Sequence, residues 1–139
     1  MTGPRHAGVE LHGFLSYLVH CAKNNVPYTV YGYKAKQVRD NIHSYDVVTS
    51  FEFFINEPSA GAVYNLGGGK KNSISMIEGI NLLREKYNLK LNWHYVEQAR
   101  VGDHICYYSD LSNLKKRYPL WDITRDIESI IDELVRGIF

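Results

Sequence analysis

The stretch Val30-Tyr31-Gly32-Tyr33-Lys34-Ala35-Lys36-Gln37-Val38-Arg39-Asp40-Asn41-Ile42-His43-Ser44-Tyr45-Asp46-Val47-Val48 decides how the rest of the chain is read. It opens on the end of a short strand, Tyr28 to Tyr31, rich in β-branched and aromatic residues and closed by Gly32. Tyr33 to Gln37 reads as a polar turn, and the loose alternation from Val38 to His43 as a second short strand. Ser44 and Asp46 both offer an oxygen to cap a helix that runs on through Asn56. Arg39, followed at once by Asp40, sits between a strand, a turn and a helix start.

The flanks continue the alternation of helix and strand. Before the stretch, Phe14, Leu15, Tyr17, Leu18, Val19 and Ala22 give a helix over Gly13 to Asn25 with one buried side, stopped ahead of Pro27. After a turn at Pro58 to Gly61, Ala62 to Leu66 reads as a strand closed by Gly67-Gly68-Gly69. Ser73 or Ser75 caps a helix from Met76 to Tyr87 that turns Ile77, Ile80, Leu82 and Leu83 toward a core. Leu91 to Val96 alternates as a strand, and Arg100 to Tyr108 is loop or short strand. Ser109-Asp110 begins a helix to Tyr118, stopped by Pro119. Thr124 caps a last helix with Ile127, Ile130, Ile131 and Leu134 as its stripe. The expected class is α/β, with residues 1–139 as a single unit that has no linker, repeat or low-complexity tract.

Bulk properties narrow the function classes. With 45% hydrophobic and 22% charged residues, the 139-residue chain has enough apolar material for a core. A formal net charge of +1 gives no electrostatic case for nucleic acid or a membrane surface. An anion must therefore be recognised by a few placed groups. The amino terminus shows no sustained apolar run of the signal-peptide kind, and Cys21 and Cys106 read as two buried, reduced thiols of a cytoplasmic protein. No pair among the six histidines has the i, i+4 spacing of a helical zinc site.

Two features compete for a ligand. Gly67-Gly68-Gly69-Lys70-Lys71 lies between a strand and a helix, where backbone amides hold anions in some folds. Its spacing fits neither the dinucleotide fingerprint nor the P-loop, so a plain tight turn is the better reading. Arg39 and Arg100 both sit in connecting segments, and Asp103 follows three residues after Arg100. Two guanidinium forks converging on one site suit a diphosphate, and a nearby carboxylate suits ribose hydroxyls. From residue type alone the leading reading is instead two exposed arginines in weak ion pairs with Asp40 and Asp103.

The quoted stretch resembles the V-Y-G-x-G-x-Q-x-R-D-x-I-H-V-x-D-V tract of extended short-chain dehydrogenase/reductases, the NAD-dependent epimerase/dehydratase family. Ala62 to Gly68, Arg100-Val101-Gly102-Asp103 and the tyrosine-serine-aspartate at Tyr108 to Asp110 follow in that family's order. Thr2 to Leu15 and Arg100 to Tyr107 resemble its paratose 2-epimerase (tyvelose epimerase) branch more narrowly. Tyr33-Lys34-Ala35 departs from the family, replacing its usual glycine in that turn.

The resemblance implies the carboxy-terminal, substrate-binding part of a Rossmann-type enzyme. Arg39 and Arg100 would hold the diphosphate of a nucleotide sugar, a CDP-hexose, and Asp103 its ribose. Backbone at Val30 and Tyr31 would lie along the base, with Glu10 in a loop over the nucleotide. NAD would serve the complete enzyme in transient oxidation and re-reduction at sugar C2. The glycine-rich turn for NAD and the catalytic tyrosine-lysine pair are not found in this sequence, so the chain by itself is expected to be inactive. By itself it is also expected to be marginal, aggregation-prone, or completed by a partner chain, in a homo-oligomer or by a chain supplying the missing half. A stand-alone binding module and a non-catalytic remnant are the alternatives.

Overall fold

The computed structural model describes residues 1–3 and 13–137. Helix α1 (Phe14–Asn24) buries Leu15, Leu18, Val19 and Cys21 and packs on α3 (Met76–Tyr87) and α5 (Ile127–Arg136). Its amphipathic spacing is the cause: residues three and four apart share a face. Asn25 ends it in the left-handed conformation (φ 52°), its N–H donating to the Cys21 carbonyl. Strand β1 (Tyr28–Tyr31) follows, with Val30 fully inside the same apolar cluster as Ile80, Leu83, Ile130 and Ile131.

β1 pairs in parallel with β4 (Trp93–Val96), Tyr28 opposite Trp93 and Tyr31 opposite Val96. A separate three-stranded sheet has β2 (Val38–Asp40) at its centre, antiparallel to β3 (Ser73–Ser75) and parallel to β5 (Cys106–Tyr107). Helix α2 (Ser44–Asn56) and the short helix α4 (Ser112–Arg117) enclose a second cluster of Ile42, Leu111, Leu114, Tyr118 and Trp121. Strands alternate with helices as the sequence implied.

Several local expectations are corrected. The strand expected over Ala62 to Leu66 joins no ladder among the described residues, although Tyr64 and Leu66 point inward to the second cluster and Val63 is 87% exposed. The composition suits a strand, but in place of a backbone ladder Asn65 Nδ2 donates to the Asp110 carbonyl at 3.3 Å. The strand between α2 and α3 is instead Ser73–Ser75. His43, rather than Ser44 or Asp46, caps α2, its Nδ1 accepting the Tyr45 N–H at 3.0 Å. Asp46 is fully buried and accepts from Thr124 N–H (3.0 Å), Thr124 Oγ1 (2.6 Å) and Arg125 N–H (3.1 Å). That engagement takes Thr124 away from the last helix, which Asp126 caps. Ser75 does cap α3, in a full capping box with Glu78. Cys21 is buried, but Cys106 is exposed, because β5 is a two-residue strand with neither residue turned inward.

Candidate functional site

Gly32 ends β1 at φ 66°, and a Cβ there would overlap the backbone of Ala99. This close approach brings the segment leading into residues 100–103 against the end of β1. The chain then turns through Tyr33, Lys34 and Ala35, all three in the left-handed region at φ 50°, 52° and 62°. The missing family glycine therefore changes which residues carry the conformation and leaves it left-handed. Two hydrogen bonds tie this strained turn to other segments: Tyr33 Oη donates to the Asp103 carbonyl (3.3 Å), and the Lys34 N–H donates to Tyr95 Oη (3.2 Å).

Leaving the turn, β2 carries Arg39 toward the same segment. Arg39 Nη1 donates to its neighbour's carbonyl, Val38 O, at 2.7 Å, and Nη2 pairs with Asp103 Oδ1. The sequence allowed Arg39 to pair with Asp40; the structure pairs it with Asp103. Asp40 faces away, its Oδ2 accepting from the N–H groups of Gly69 and Ser109, each at 3.0 Å. Arg100 lays its guanidinium over the Tyr31 ring, 4.5 Å from the centroid.

Arg39, Arg100 and Asp103 thus line one cavity of about 380 Å³ with Val30, Tyr31 and Gln37. Glu10 lies outside the described residues. The backbone of β1 matters as much as the side chains. The Tyr28 and Gly32 N–H groups donate across to β4, at Asn92 O and Val96 O. By alternation along a strand, the peptide groups of Val30, expected along the base, turn toward β4 as well, whereas those of Thr29 and Tyr31 point to the opposite edge, where the cavity lies. The Tyr31 carbonyl there accepts from Gln37 Nε2 at 3.1 Å. Gln37 was not singled out in the sequence; its position two residues before Arg39 is the only signal that pointed to it. A strand edge of amide donors and acceptors, two guanidinium groups and a carboxylate can read a heterocyclic base, bind an anion and accept from hydroxyls.

Gly68 and Gly69 line a second cavity, of about 680 Å³, with Lys70, Lys71 and Asn72, but the glycines of the triplet serve close packing. A Cβ at Gly68 would overlap the Asn41 backbone, one at Gly67 would overlap Ser109, and the Gly69 N–H is committed to Asp40. These glycines let the turn pack tightly on β2. With the Gly69 N–H committed to Asp40 and a spacing unlike the dinucleotide fingerprint, this turn does not fit the pyrophosphate of a dinucleotide. Among the described residues no group of histidine, cysteine or carboxylate side chains is placed to hold a metal. No helix among them is long and apolar enough to cross a membrane.

This architecture is the fold of a portion of a Rossmann-type extended short-chain dehydrogenase/reductase. No family model matches the chain. In sequence it is 28% identical over 92 residues to the CDP-paratose 2-epimerase of Salmonella typhi, a match covering 65% of this chain and 27% of that protein. In structure it is similar to the UDP-glucuronic acid 4-epimerase of Bacillus cereus, in complex with NAD and a fluorinated UDP-sugar (TM-score 0.80, 17% identity). That match covers 98% of this chain and 41% of that one. It is similar also to MoeE5 in complex with UDP-glucuronic acid and NAD (TM-score 0.79, 22% identity), over 91% of this chain and 41% of that one. The chain thus spans about a quarter of the curated relative's length and about two fifths of the structural neighbours'.

Proposed function

We propose that this chain is the nucleotide-sugar-holding part of an NAD-dependent epimerase, and that the cavity beside β1 takes the nucleoside diphosphate. The observation that carries the reading is the convergence of Arg39, Arg100 and Asp103 on the open edge of β1. In this reading the Thr29 and Tyr31 peptide groups meet the base, the two guanidinium groups neutralise the diphosphate, and Asp103 accepts from ribose hydroxyls. Binding energy collected on the nucleotide, remote from the reacting carbon, fixes where the sugar lies. We assign the nucleotide as a CDP-hexose and the reaction as inversion at C2, on the resemblance to the paratose 2-epimerase branch; the UDP-sugars in the structural neighbours make UDP the competing base.

NAD supplies hydride chemistry in the complete enzyme, and no residue of this chain is assigned to it, since the glycine turn does not fit. The cofactor half is expected to pack where α2 leaves Tyr45, Val48, Phe51 and Ile55 more than half exposed. The setting we propose is cytoplasmic.

Calorimetry with CDP-glucose and UDP-glucose tests the site. Saturable binding that weakens at least about tenfold in Arg39→Ala and in Arg100→Ala is the expected result, each substitution removing a charge-assisted contact. Binding unchanged by both substitutions, or none by a folded chain, overturns the assignment. The purified chain with added NAD and a CDP-hexose is expected to show no epimerisation, and measurable turnover contradicts that expectation.

A further inference from the structure

The segment carrying Asp103 is held in three ways, and only one of them involves Arg39. Tyr33 Oη donates to the Asp103 carbonyl, and Arg100 stacks on Tyr31, so residues 100–103 stay against the end of β1 without the ion pair. The Asp103 carboxylate is also fixed within its own loop, Oδ1 accepting the His104 N–H at 3.0 Å. The Arg39–Asp103 pair can therefore open while the loop stays in place. Both side chains are about three-quarters shielded, with exposures of 25% and 21%, so solvent and salt screen their attraction poorly.

These facts set conditions on what can bind. An anion that approaches the Arg39 guanidinium must displace a carboxylate already bonded to it. Once displaced, that carboxylate remains beside the newcomer, anchored by His104, and two anions are then neighbours. A ligand whose diphosphate is flanked by hydroxyl donors relieves this, because the hydroxyls donate to Asp103. An inorganic anion has no such donors and meets the full repulsion.

We propose that Asp103 is a specificity-determining residue that acts as an anion filter, admitting diphosphates that carry adjacent hydroxyls and rejecting bare phosphate and pyrophosphate. This rests on the reading of the cavity as a nucleoside diphosphate site. It adds that Asp103 disfavours part of the ligand's own chemistry, so selectivity comes from a repulsive element as well as an attractive one.

The test is calorimetric titration of inorganic pyrophosphate and, separately, CDP into the wild-type chain, Asp103→Asn, and Asp103→Asn combined with Arg39→Ala. Asparagine keeps the size of the side chain and an acceptor for His104 while removing the charge. Asp103→Ser serves if the asparagine variant is unfolded by far-UV circular dichroism. Pyrophosphate is expected to bind the single variant roughly tenfold more tightly than wild type, the scale of one charge-assisted contact regained. CDP is expected to gain less, so that the preference for CDP over pyrophosphate collapses, and Arg39→Ala is expected to abolish the gain. Pyrophosphate bound no more tightly by Asp103→Asn than by wild type, including no detectable binding by either, overturns the filter. A wild-type chain that binds neither CDP nor UDP overturns the broader reading of the cavity, and the pyrophosphate comparison still decides the filter.

Discussion

Asp40 and Ser109 lie 69 residues apart in sequence, and the Ser109 N–H donates to Asp40 Oδ2 at 3.0 Å. The same oxygen accepts from Gly69, so one carboxylate joins β2, the glycine turn and the entry to α4. The aspartate next to the candidate diphosphate arginine is thus a scaffold residue.

Asp40→Ala is expected to leave two backbone donors without their acceptor and to destabilise the chain by about 2 kcal/mol. Chemical denaturation checks this; a midpoint unchanged from wild type contradicts the scaffold role.

Lys34 is exposed and holds φ at 52° in the middle of three left-handed residues. Lys34→Gly removes a side-chain penalty of roughly 1 kcal/mol and is expected to raise stability, although glycine also adds freedom to the unfolded chain. A lower melting temperature in the glycine variant contradicts a strained turn.

Among the described residues, four carboxyl groups are held below their ordinary range. Hydrogen bonds from Ser75 do this at Glu78, from Ser112 at Asp110 and from Ser129 at Asp126, and the Lys115 ammonium does it at Asp122. Each binds its proton more weakly in the folded chain than in the unfolded one. Their contribution is complete above the ordinary values of 4.5 for the glutamate and 3.8 for the aspartates, and is lost as pH falls through the folded values. Melting curves between about pH 6 and pH 3 are expected to show wild type losing stability more steeply than Glu78→Gln. Parallel losses would remove Glu78 from the acid response.

Tyr45, Val48, Phe51 and Ile55 recur every three or four residues and form one apolar stripe on α2 that is more than half exposed, with Arg125 over the Tyr45 ring. Val48→Lys with Ile55→Lys is expected to reduce binding of a hydrophobic dye and raise the concentration at which the chain self-associates, with melting temperature little changed. A large fall in melting temperature would mean that the stripe supports the fold.

Periodicity made most of this legible. The helical spacing from Phe14 and from Met76, and the β-branched and aromatic run at Tyr28 to Tyr31, gave elements close to those observed, because burial of one face dictated each of them. Pairing was less legible. Ala62 to Leu66 has the composition of a strand, but a ladder needs a neighbour, and composition does not supply one. Capping failed where a long-range partner intervened: Asp46 and Thr124 are both good caps locally, and they bond to each other. At the candidate site, residue type brought out Arg39, Arg100 and Asp103, and motif order joined them. That Arg39 pairs with Asp103 rather than with the adjacent Asp40 depends on where Gly32 and Ala99 touch, which no local pattern encodes.

The parallel pairing of β1 with β4 has a consequence for how the protein is made. Thr29 and His94 face each other although they lie 65 residues apart in sequence, so the strand that floors the cavity leaves the ribosome long before its partner. Closing so long a loop costs chain entropy before any contact is gained, which places this pairing late among folding events. The cavity is therefore among the last features to be assembled, and nascent chains that end before Asp103 cannot contain it.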